Sequence, residues 1–360
     1  MVTTSSESLP CQGFHRYIIL FFLLLISISV CMLSISEPQD SAPSLNMRFH
    51  AATLALLPGL ARAVKIVQAN DDGWAELYVR SFNQALNAAG YDVILSCPAE
   101  NKSGTSTSSL LTIAMPAHSH SPGSLDLEPT NRDQPCPYNS CPANSGKTGT
   151  DPSNPRLHWV NSFPVTAMRF GLDTFGPETW NGATADLAVS GPNVGSNLFL
   201  SVPFSGTVGA AAYAAHEKRI PAIAFSGASE GNLAFDTTPV PARSLVYAEL
   251  ATYLVDEVVK AGTPYLPANV YLNVNFPEVE GSCQAASDFS WVLTRVNPGL
   301  FSARDADFCG DHRLPTEESV VNGGGCHISV SVGDATDKTT ASREKQEAVI
   351  AKIGHIFTCL

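Results

Sequence analysis

The chain has 360 residues, which is enough for one large domain or two ordinary ones with a substantial buried core. Its composition, 44% hydrophobic and 15% charged, is that of a folded globular protein and excludes a largely disordered one. The formal net charge of -12 repels nucleic-acid backbones and anionic membranes, which argues against a protein that binds duplex DNA or RNA. A small phosphorylated substrate stays compatible with this charge, because a bound cation can invert the sign locally.

Two export-like signals precede residue 64. Residues 17–36 are almost wholly apolar, which by itself is typical of a signal anchor or a membrane span. Residues 47–63 have a basic start and an apolar core, and they end in Ala61-Arg62-Ala63, which fits a small-x-small cleavage site.

We therefore predict that translation starts at Met47 and that residues 1–46 are an upstream extension. Residues 47–63 are then a signal peptide, and the secreted domain covers residues 64–360. The alternative is a protein anchored in a membrane through residues 17–36.

The domain opens with a predicted β–loop–α–β unit. Residues 64–69 form a short apolar run that ends directly in Asn70-Asp71-Asp72-Gly73. Residues 75–89 carry apolar side chains at helical spacing, and Gly90 is a typical helix end. Residues 91–96 then predict a second strand. This order is typical of a parallel α/β sheet, in which ligands bind at the carboxyl ends of the strands.

Residues 116–158 are rich in Pro, Ser, Asn and Gly and show little periodicity, so we predict a long surface insertion there. The insertion contains Gly146-Lys147-Thr148, which is similar to the end of a phosphate-binding P-loop. That interpretation is rejected, because the position that requires glycine is Cys141 and no predicted strand precedes it.

Regular structure is predicted again after the insertion. The predicted elements are a helix from 165 to 170, a strand over 185–190, a helix over 205–217, a strand over 220–226, a helix over 243–261, a strand over 271–276, hairpins and loops over 280–340, and a terminal helix over 343–357.

The cysteines outside the leader show no C-x-x-C pair and no Cys/His zinc spacing, so disulfides are favoured over a zinc site in an exported chain. Cys136–Cys141 would close a short loop. Cys283–Cys309 and Cys326–Cys359 are the pairs that we assume for the others, although spacing does not decide them. Cys97 is left over and is expected to be buried at a strand end.

Four polar loops carry the predicted chemistry. Asn70-Asp71-Asp72-Gly73 sets two carboxylates side by side, and a hard divalent cation such as Mg²⁺ or Mn²⁺ relieves their repulsion. Residues 101–106 supply hydroxyls and backbone donors, and residues 191–197 supply side-chain amides. Residues 205–207 begin a helix, where free N–H groups favour an anion. Each loop alone is typical of a turn or an N-cap, so the site is predicted from their joint occurrence in one sheet.

The order and spacing of these loops resemble the SurE family, which comprises stationary-phase survival nucleotidases and related fungal acid phosphatases. The resemblance covers residues 64–358, with residues 116–158 as an enlarged insertion. The matching stretches are VKIVQANDDGWAELYVRSFNQALNAAGYDVILSCPAENKSGTSTS, DLAVSGPNVGSNLF, FSGTVGAAAYAAHEKRIPAIAFSG and, more weakly, YLNVNFP. The resemblance implies a three-layer α/β/α fold with a Rossmann-like, mostly parallel sheet and a C-terminal hairpin and helix extension.

The resemblance also implies divalent-metal-dependent release of phosphate from small substrates such as nucleoside 5′- and 3′-monophosphates. The metal ligands that it implies are Asp71, Asp72, Ser103 and Asn193. The catalytic residues are then Asp71, Asp72 and Asn70, and the phosphate side is lined by Ser106, Asn197, Ser205, Gly206 and Thr207. The sequon Asn101-Lys102-Ser103 falls in this site, so we predict that it carries no glycan.

Two stretches depart from the family pattern. Ala69 stands where the family usually has threonine, and residues 162–167 match the family segment Gly-Thr-Pro-Ala-Asp-Cys only loosely. These differences affect nucleotide specificity more than metal binding. Two alternatives stay open: a broad-specificity acid phosphatase or polyphosphate hydrolase, and a catalytically inactive secreted binding protein of the same fold. The resemblance further implies a homodimer built through the C-terminal hairpins.

Overall fold

A computed structural model describes residues 63–103, 126–299 and 302–360. The predicted apolar segment 17–36, the signal peptide up to residue 62 and Ser106 lie outside these residues. Within them, no helix is both long enough and apolar enough to cross a membrane.

A single mixed sheet, nine-stranded within the described residues, forms the centre of the domain. Its strands are β1 (Lys65–Ala69), β2 (Asp92–Pro98), β3 (Thr148–Asp151), β4 (Asn154–Val160), β5 (Leu187–Val194), β6 (Ala222–Gly227), β7 (Val270–Asn275), β8 (Ser290–Thr294) and β9 (His327–Asp334). The order across the sheet is β3-β4-β2-β1-β5-β6-β7-β9-β8. The six strands from β4 to β7 are parallel, whereas β3, β8 and β9 run the opposite way.

Helices cover both faces of the sheet. They are α1 (Leu77–Ala88), α2 (Pro164–Phe170), α3 (Gly176–Thr179), α4 (Gly206–His216), α5 (Ala242–Lys260), α6 (Glu317–Val321) and α7 (Arg343–Ile353). Helices α1 and α5 pack together on one face, and α2 and α4 pack together on the other.

The alternation of side chains along the strands fixes this layering. Ile66 of β1 packs with Phe82 of α1 in one core, and the next residue, Val67, packs with Met168 of α2 in the opposite core. Because successive strand residues point to opposite faces, a strand buried on both sides reads as a continuous apolar run. The predicted three-layer α/β fold is confirmed.

Two predictions about the edges of the sheet are wrong. Residues 148–158 belong to the segment in which no regular structure was predicted, yet β3 and most of β4 lie there, and β4 pairs in parallel with β2. A hairpin was predicted near the C-terminus, but β8 and β9 are parallel neighbours at the edge of the main sheet. The connection between them contains α6, which gives the chain the length that a parallel crossover needs.

The disulfides are Cys136–Cys141, Cys283–Cys326 and Cys309–Cys359. The first pair and the free, buried Cys97 agree with the sequence-based prediction. The assumed pairs Cys283–Cys309 and Cys326–Cys359 are wrong. The reason lies in the sheet: Ser290 of β8 is in register with His327 of β9, which brings the chain just before each strand to the same end.

Candidate active site

The predicted residues meet where the strand order reverses. Strand β2 lies on one side of β1, and β5, which comes later in the chain, lies on the other side. The connections that follow β1 and β5 therefore run in opposite directions along the sheet. Ligands of open parallel sheets bind in the crevice outside the strand ends at such a point. Asp71 and Asp72 follow β1 directly, and Asn193 lies near the end of β5.

Asn70 shapes the loop that carries the two aspartates. Its side-chain Nδ2 donates to the carbonyl oxygen of Gly73 at 3.0 Å, and its Oδ1 accepts from the N–H of Gly73 at 3.2 Å. Gly73 has a φ of 103°, which favours glycine. Both polar atoms of Asn70 are thus used within the loop, and its direct catalytic role stays a prediction.

Asp71 faces the start of α4. Its Oδ1 accepts a hydrogen bond of 2.5 Å from the hydroxyl of Thr207, and the backbone N–H groups of Gly206 and Thr207 also interact with the carboxylate. A Cβ on Gly206 would lie 2.9 Å from the Cβ of Asp71, so only glycine allows this approach. Burial raises the pKa of Asp71 despite these donors. The sequence predicted that the free N–H groups at the start of α4 would favour an anion. In this structure, the carboxylate of Asp71 lies there.

Asp72 is held by donors from three other segments of the chain. Its Oδ2 accepts from the N–H of Val194 at 2.8 Å, and its Oδ1 accepts from the side-chain amide of Asn232 at 2.9 Å. The hydroxyl of Ser103 lies 3.5 Å from the same Oδ1. Burial, and then the charge of Asp71, raise the pKa of Asp72 to about 7. Two adjacent buried carboxylates whose charges act on each other are stabilised by a nearby positive charge.

Asn193 supplies an acceptor that is not used by the protein. Its Nδ2 donates to the carbonyl oxygen of Gly195 at 2.5 Å, whereas its buried Oδ1 has no hydrogen-bond partner among the described residues. The strand β5 runs to Val194, so Asn193 lies on the strand and not in the loop predicted to begin at residue 191. The pairing with β6 is irregular between Ser190 and Asn193.

The donor set fits a hard divalent cation. Two carboxylates, an unpartnered amide oxygen and a hydroxyl are the oxygen ligands that Mg²⁺ and Mn²⁺ prefer. No cluster of three His, Cys, Asp or Glu side chains suited to a metal occurs in the part of the chain that the structure describes. The candidate ligand set is Asp71, Asp72, Ser103 and Asn193.

Two of the residues predicted on the phosphate side bond to the scaffold. The hydroxyl of Ser205 accepts from the N–H of Val208 at 3.0 Å and so caps α4. The side chain of Asn197 donates to the hydroxyl of Ser226 at 2.8 Å. Gly206 and Thr207 lie beside Asp71, and their role in binding phosphate stays a prediction.

Residues 66–297 match the family model described as survival protein SurE. The chain belongs to the SurE family. It is 31% identical over 330 residues to an acid phosphatase from Yarrowia lipolytica, and the match covers 83% of this chain and 86% of that protein.

Bacterial SurE proteins match a shorter part. The 5′-nucleotidase SurE of a Nostoc species is 31% identical over 219 residues, which cover 60% of this chain and 65% of that protein. The chain thus spans just under two thirds of the length of that nucleotidase. The crystal structure of the SurE protein from Aquifex aeolicus is similar with a TM-score of 0.49 and 19% identity, over 80% of this chain and 98% of that one.

Three residues of this SurE-family chain were missed by the sequence analysis. Asn232 follows β6 and bonds Asp72, and a polar loop after a strand end was the available signal. Glu76 caps α1, with its Oε2 accepting from the N–H of Tyr78 at 2.6 Å. Burial, and then the charge of Asp72, raise the pKa of Glu76 to about 8. Tyr138 lies in the loop closed by Cys136–Cys141, and its pKa is raised by burial and by the charges of Glu76 and Asp72.

Proposed function

We propose that the protein is a divalent-metal-dependent phosphomonoesterase that hydrolyses nucleoside 5′- or 3′-monophosphates or related phosphate monoesters. The SurE-family relatives named acid phosphatase and 5′-nucleotidase support a phosphomonoesterase hydrolase. One observation carries the metal dependence: the buried carboxylate of Asp72, next to that of Asp71, accepts from the N–H of Val194, and the preceding residue Asn193 has a buried Oδ1 with no partner among the described residues.

The cation, Mg²⁺ or Mn²⁺, would be held by Asp71, Asp72, Ser103 and Asn193. When bound, such an ion neutralises phosphate charge, polarises the phosphoryl oxygen and lowers the pKa of a bound water. The hydroxyl of Thr207 and the start of α4 keep the carboxylate of Asp71 in one orientation. Asn232 and the N–H of Val194 do the same for Asp72, which favours its charged form.

The second candidate is a broad-specificity acid phosphatase or polyphosphate hydrolase. The match to the Yarrowia acid phosphatase covers 86% of that protein, against 65% for the Nostoc nucleotidase, and this difference favours the candidate. A panel of AMP, p-nitrophenyl phosphate and polyphosphate separates the two. A nucleotidase prefers AMP over p-nitrophenyl phosphate, whereas an acid phosphatase accepts both.

Export fits the same proposal. Disulfides persist in oxidising compartments, and the three pairs Cys136–Cys141, Cys283–Cys326 and Cys309–Cys359 support secretion. The homodimer, and the alternative membrane anchor through residues 17–36, stay predictions.

The decisive test is Asp71→Asn, assayed with p-nitrophenyl phosphate and Mn²⁺, with and without a chelator. We expect loss of Mn²⁺ binding and a fall in kcat/KM of about 10³-fold or more, because a charged ligand is replaced by a neutral one. Asp133→Asn, an exposed aspartate in the insertion, is the matched control and should behave as the wild type. Full activity in Asp71→Asn, or phosphate release that is insensitive to the chelator, would overturn the proposal. A wild type that releases no phosphate with any metal would favour the inactive binding protein.

A further inference from the structure

Asparagines on β7 hold one residue of the loop that follows β5. Asn275 accepts from the backbone N–H of Asn197 at 2.7 Å through its Oδ1, and its Nδ2 donates to the carbonyl oxygen of Asn197 at 3.1 Å. The Nδ2 of Asn273 donates to the same carbonyl oxygen at 3.0 Å. Strand β6 lies between β5 and β7, so these side chains reach the loop across an intervening strand. Both backbone polar groups of Asn197 are therefore fixed by side chains.

A buried glutamate completes this arrangement. Glu317 of α6 accepts from the Nδ2 of Asn273 at 2.7 Å through its Oε1. Glu317, Asn273 and Asn275 are all 0% exposed. The Oδ1 of Asn273 has no hydrogen-bond partner among the described residues, whereas the carboxylate of Glu317 also interacts with the hydroxyl of Ser331 and the backbone of Phe199. Buried polar groups that lack partners destabilise a fold, so a network kept for stability alone would be apolar or fully bonded.

The held residue lies close in sequence to the candidate metal ligand Asn193. The Nδ2 of Asn193 donates to the carbonyl oxygen of Gly195, and the N–H of Gly195 donates to Gly227 at 3.1 Å. The side chain of Asn193 is thus oriented by the short stretch that ends at Asn197. A shift of Asn197 would move Gly195, whose carbonyl oxygen accepts from the Nδ2 of Asn193 and thereby orients the Oδ1 of the same amide.

We propose that Asn273, Asn275 and Glu317 form an asparagine clamp whose role is to position the oxygen of Asn193 for the cation. The three are positioning residues, because they act through the backbone of Asn197 and are not among the candidate ligands of the cation. The inference rests on the proposed metal-dependent function. Residues that orient a metal ligand from behind change metal affinity or activity by about 10- to 100-fold when they are replaced.

The test measures binding of Mn²⁺ alone by calorimetry, together with kcat and KM for p-nitrophenyl phosphate. We expect Asn275→Ala to weaken Mn²⁺ binding by about 10- to 100-fold. Activity should be regained in part at high Mn²⁺, and KM measured at saturating Mn²⁺ should change little. Ser244→Ala is the matched control: it removes a buried hydroxyl that bonds Ser81 at 2.8 Å between α5 and α1, and it should leave Mn²⁺ binding unchanged.

Glu317 gives a second, conservative comparison. Glu317→Gln keeps an oxygen for Asn273 and replaces the second carboxylate oxygen by an amide nitrogen of the same size, so Mn²⁺ affinity should stay within about threefold of the wild type. Glu317→Ala removes the support of Asn273 and should weaken Mn²⁺ binding as Asn275→Ala does. If Asn275→Ala does not fold, the comparison of Glu317→Gln with Glu317→Ala still tests the clamp.

The outcomes separate the two proposals. Wild-type Mn²⁺ affinity in folded Asn275→Ala, or equal affinities in Glu317→Gln and Glu317→Ala, would overturn the clamp and leave the proposed function intact. A wild-type protein that hydrolyses phosphate esters without binding Mn²⁺ or Mg²⁺ would overturn the metal-dependent function, and the clamp with it.

Discussion

At the level of single residues, the candidate site combines carboxylates that accept several hydrogen bonds with one buried amide oxygen that accepts none among the described residues. Asp71 and Asp72 each receive several donors, whereas the buried Oδ1 of Asn193 receives none among the described residues. An unpaired buried acceptor destabilises the fold by about 1–3 kcal/mol. A cation that binds this oxygen removes the penalty, which makes Asn193 the position where ligand binding and stability are coupled.

The sequence predicts those candidate site residues that belong to a recognisable local pattern. Asp71 and Asp72 are adjacent, and Gly206 and Thr207 begin a helix, so local patterns sufficed. Asn232 comes from a loop 160 residues after Asp72, and its role depends on how β6 is placed in the sheet. The polar loop after β6 marks the region, but no local pattern distinguishes Asn232 from the other residues of that loop.

Asn101 gives a prediction about modification. Its Nδ2, the atom to which an N-linked glycan would attach, donates to the Oδ1 of Asn232 at 3.0 Å and lies 3.4 Å from the Oδ1 of Asp72. A glycan there would break these contacts and crowd Ser103. We expect glycopeptide mass spectrometry of the secreted protein to find Asn101 unmodified.

The control for this prediction is a new sequon at an exposed turn. Ala183→Thr creates one at Asn181, which is exposed, and its glycosylation would show that the expression host modifies this chain. A glycan on Asn101 in fully active protein would contradict the assignment of this loop to the site.

At the level of elements, the central strands were predictable and the edges were not. Strands such as β1 and β6 are buried on both faces, and their apolar runs identify them in the sequence. Strand β4 begins Asn-Pro-Arg, and β3 is Thr-Gly-Thr-Asp, so both resemble loop sequence. Strand β3 lies at the edge and β4 next to it, and β3 and the first part of β4 are only partly buried, so they lack the continuous apolar run of the central strands.

The close approach of α4 to the first loop leads to a prediction for Gly206→Ala. The added Cβ would lie 2.7 Å from the Cγ of Pro164 and 2.9 Å from the Cβ of Asp71, so the helix start must move away from the carboxylate. We expect kcat/KM for p-nitrophenyl phosphate to fall by about 10-fold or more, because misplaced groups lose catalysis steeply. Stability should fall by about 1–3 kcal/mol in chemical denaturation.

Gly333→Ala is the matched control for this crowding. Its Cβ would lie 2.4 Å from the ring of Tyr271, at the far end of β9, so it should lower stability to a similar extent without affecting activity beyond the folded fraction. Equal activity losses per folded molecule in both variants would show that crowding in general, and not the contact with Asp71, is responsible.

At the level of the whole molecule, two disulfides fasten the C-terminal part of the sheet. Cys283–Cys326 spans 43 residues and Cys309–Cys359 spans 50. Four cysteines allow three pairings, and only the parallel packing of β8 on β9 selects among them. Spacing along the chain therefore could not have decided the pairing.

These disulfides predict a stability difference. Replacing Cys309 and Cys359 by serine should lower the free energy of unfolding by about 2–4 kcal/mol, because the unfolded chain regains a long loop. The Cys136→Ser and Cys141→Ser double variant opens a span of only 5 residues and should cost less. Peptide mapping without reductant should find Cys283–Cys326 and Cys309–Cys359, with a free thiol at Cys97. Recovery of Cys283–Cys309 peptides would contradict the sheet topology at this edge.

The buried acids together set how stability depends on pH. Burial raises the pKa of Glu76 and of Glu317 from 4.5 to about 8, and that of Asp72 from 3.8 to about 7. Each group therefore binds its proton more tightly in the folded state, so the stability that it contributes is present below its ordinary pKa and is lost as pH rises toward the folded value. The groups whose pKa is lowered, such as Glu100 and Asp151, act in the opposite sense: the stability that they contribute is present above their ordinary pKa and is lost as pH falls.

We therefore expect the metal-free protein to become less stable between about pH 4 and pH 8, measured as urea midpoints in the presence of a chelator. Glu317→Gln removes one of the contributing groups and should reduce the loss, whereas Glu178→Gln, an exposed control, should not. Added Mn²⁺ should recover stability most at pH 8, because a cation binds the charged carboxylates and competes with protons for Asp72. A metal-free midpoint that rises steadily from pH 5 to pH 8 would mean that these acids are charged without penalty in the folded protein. The crevice would then need no cation to balance it.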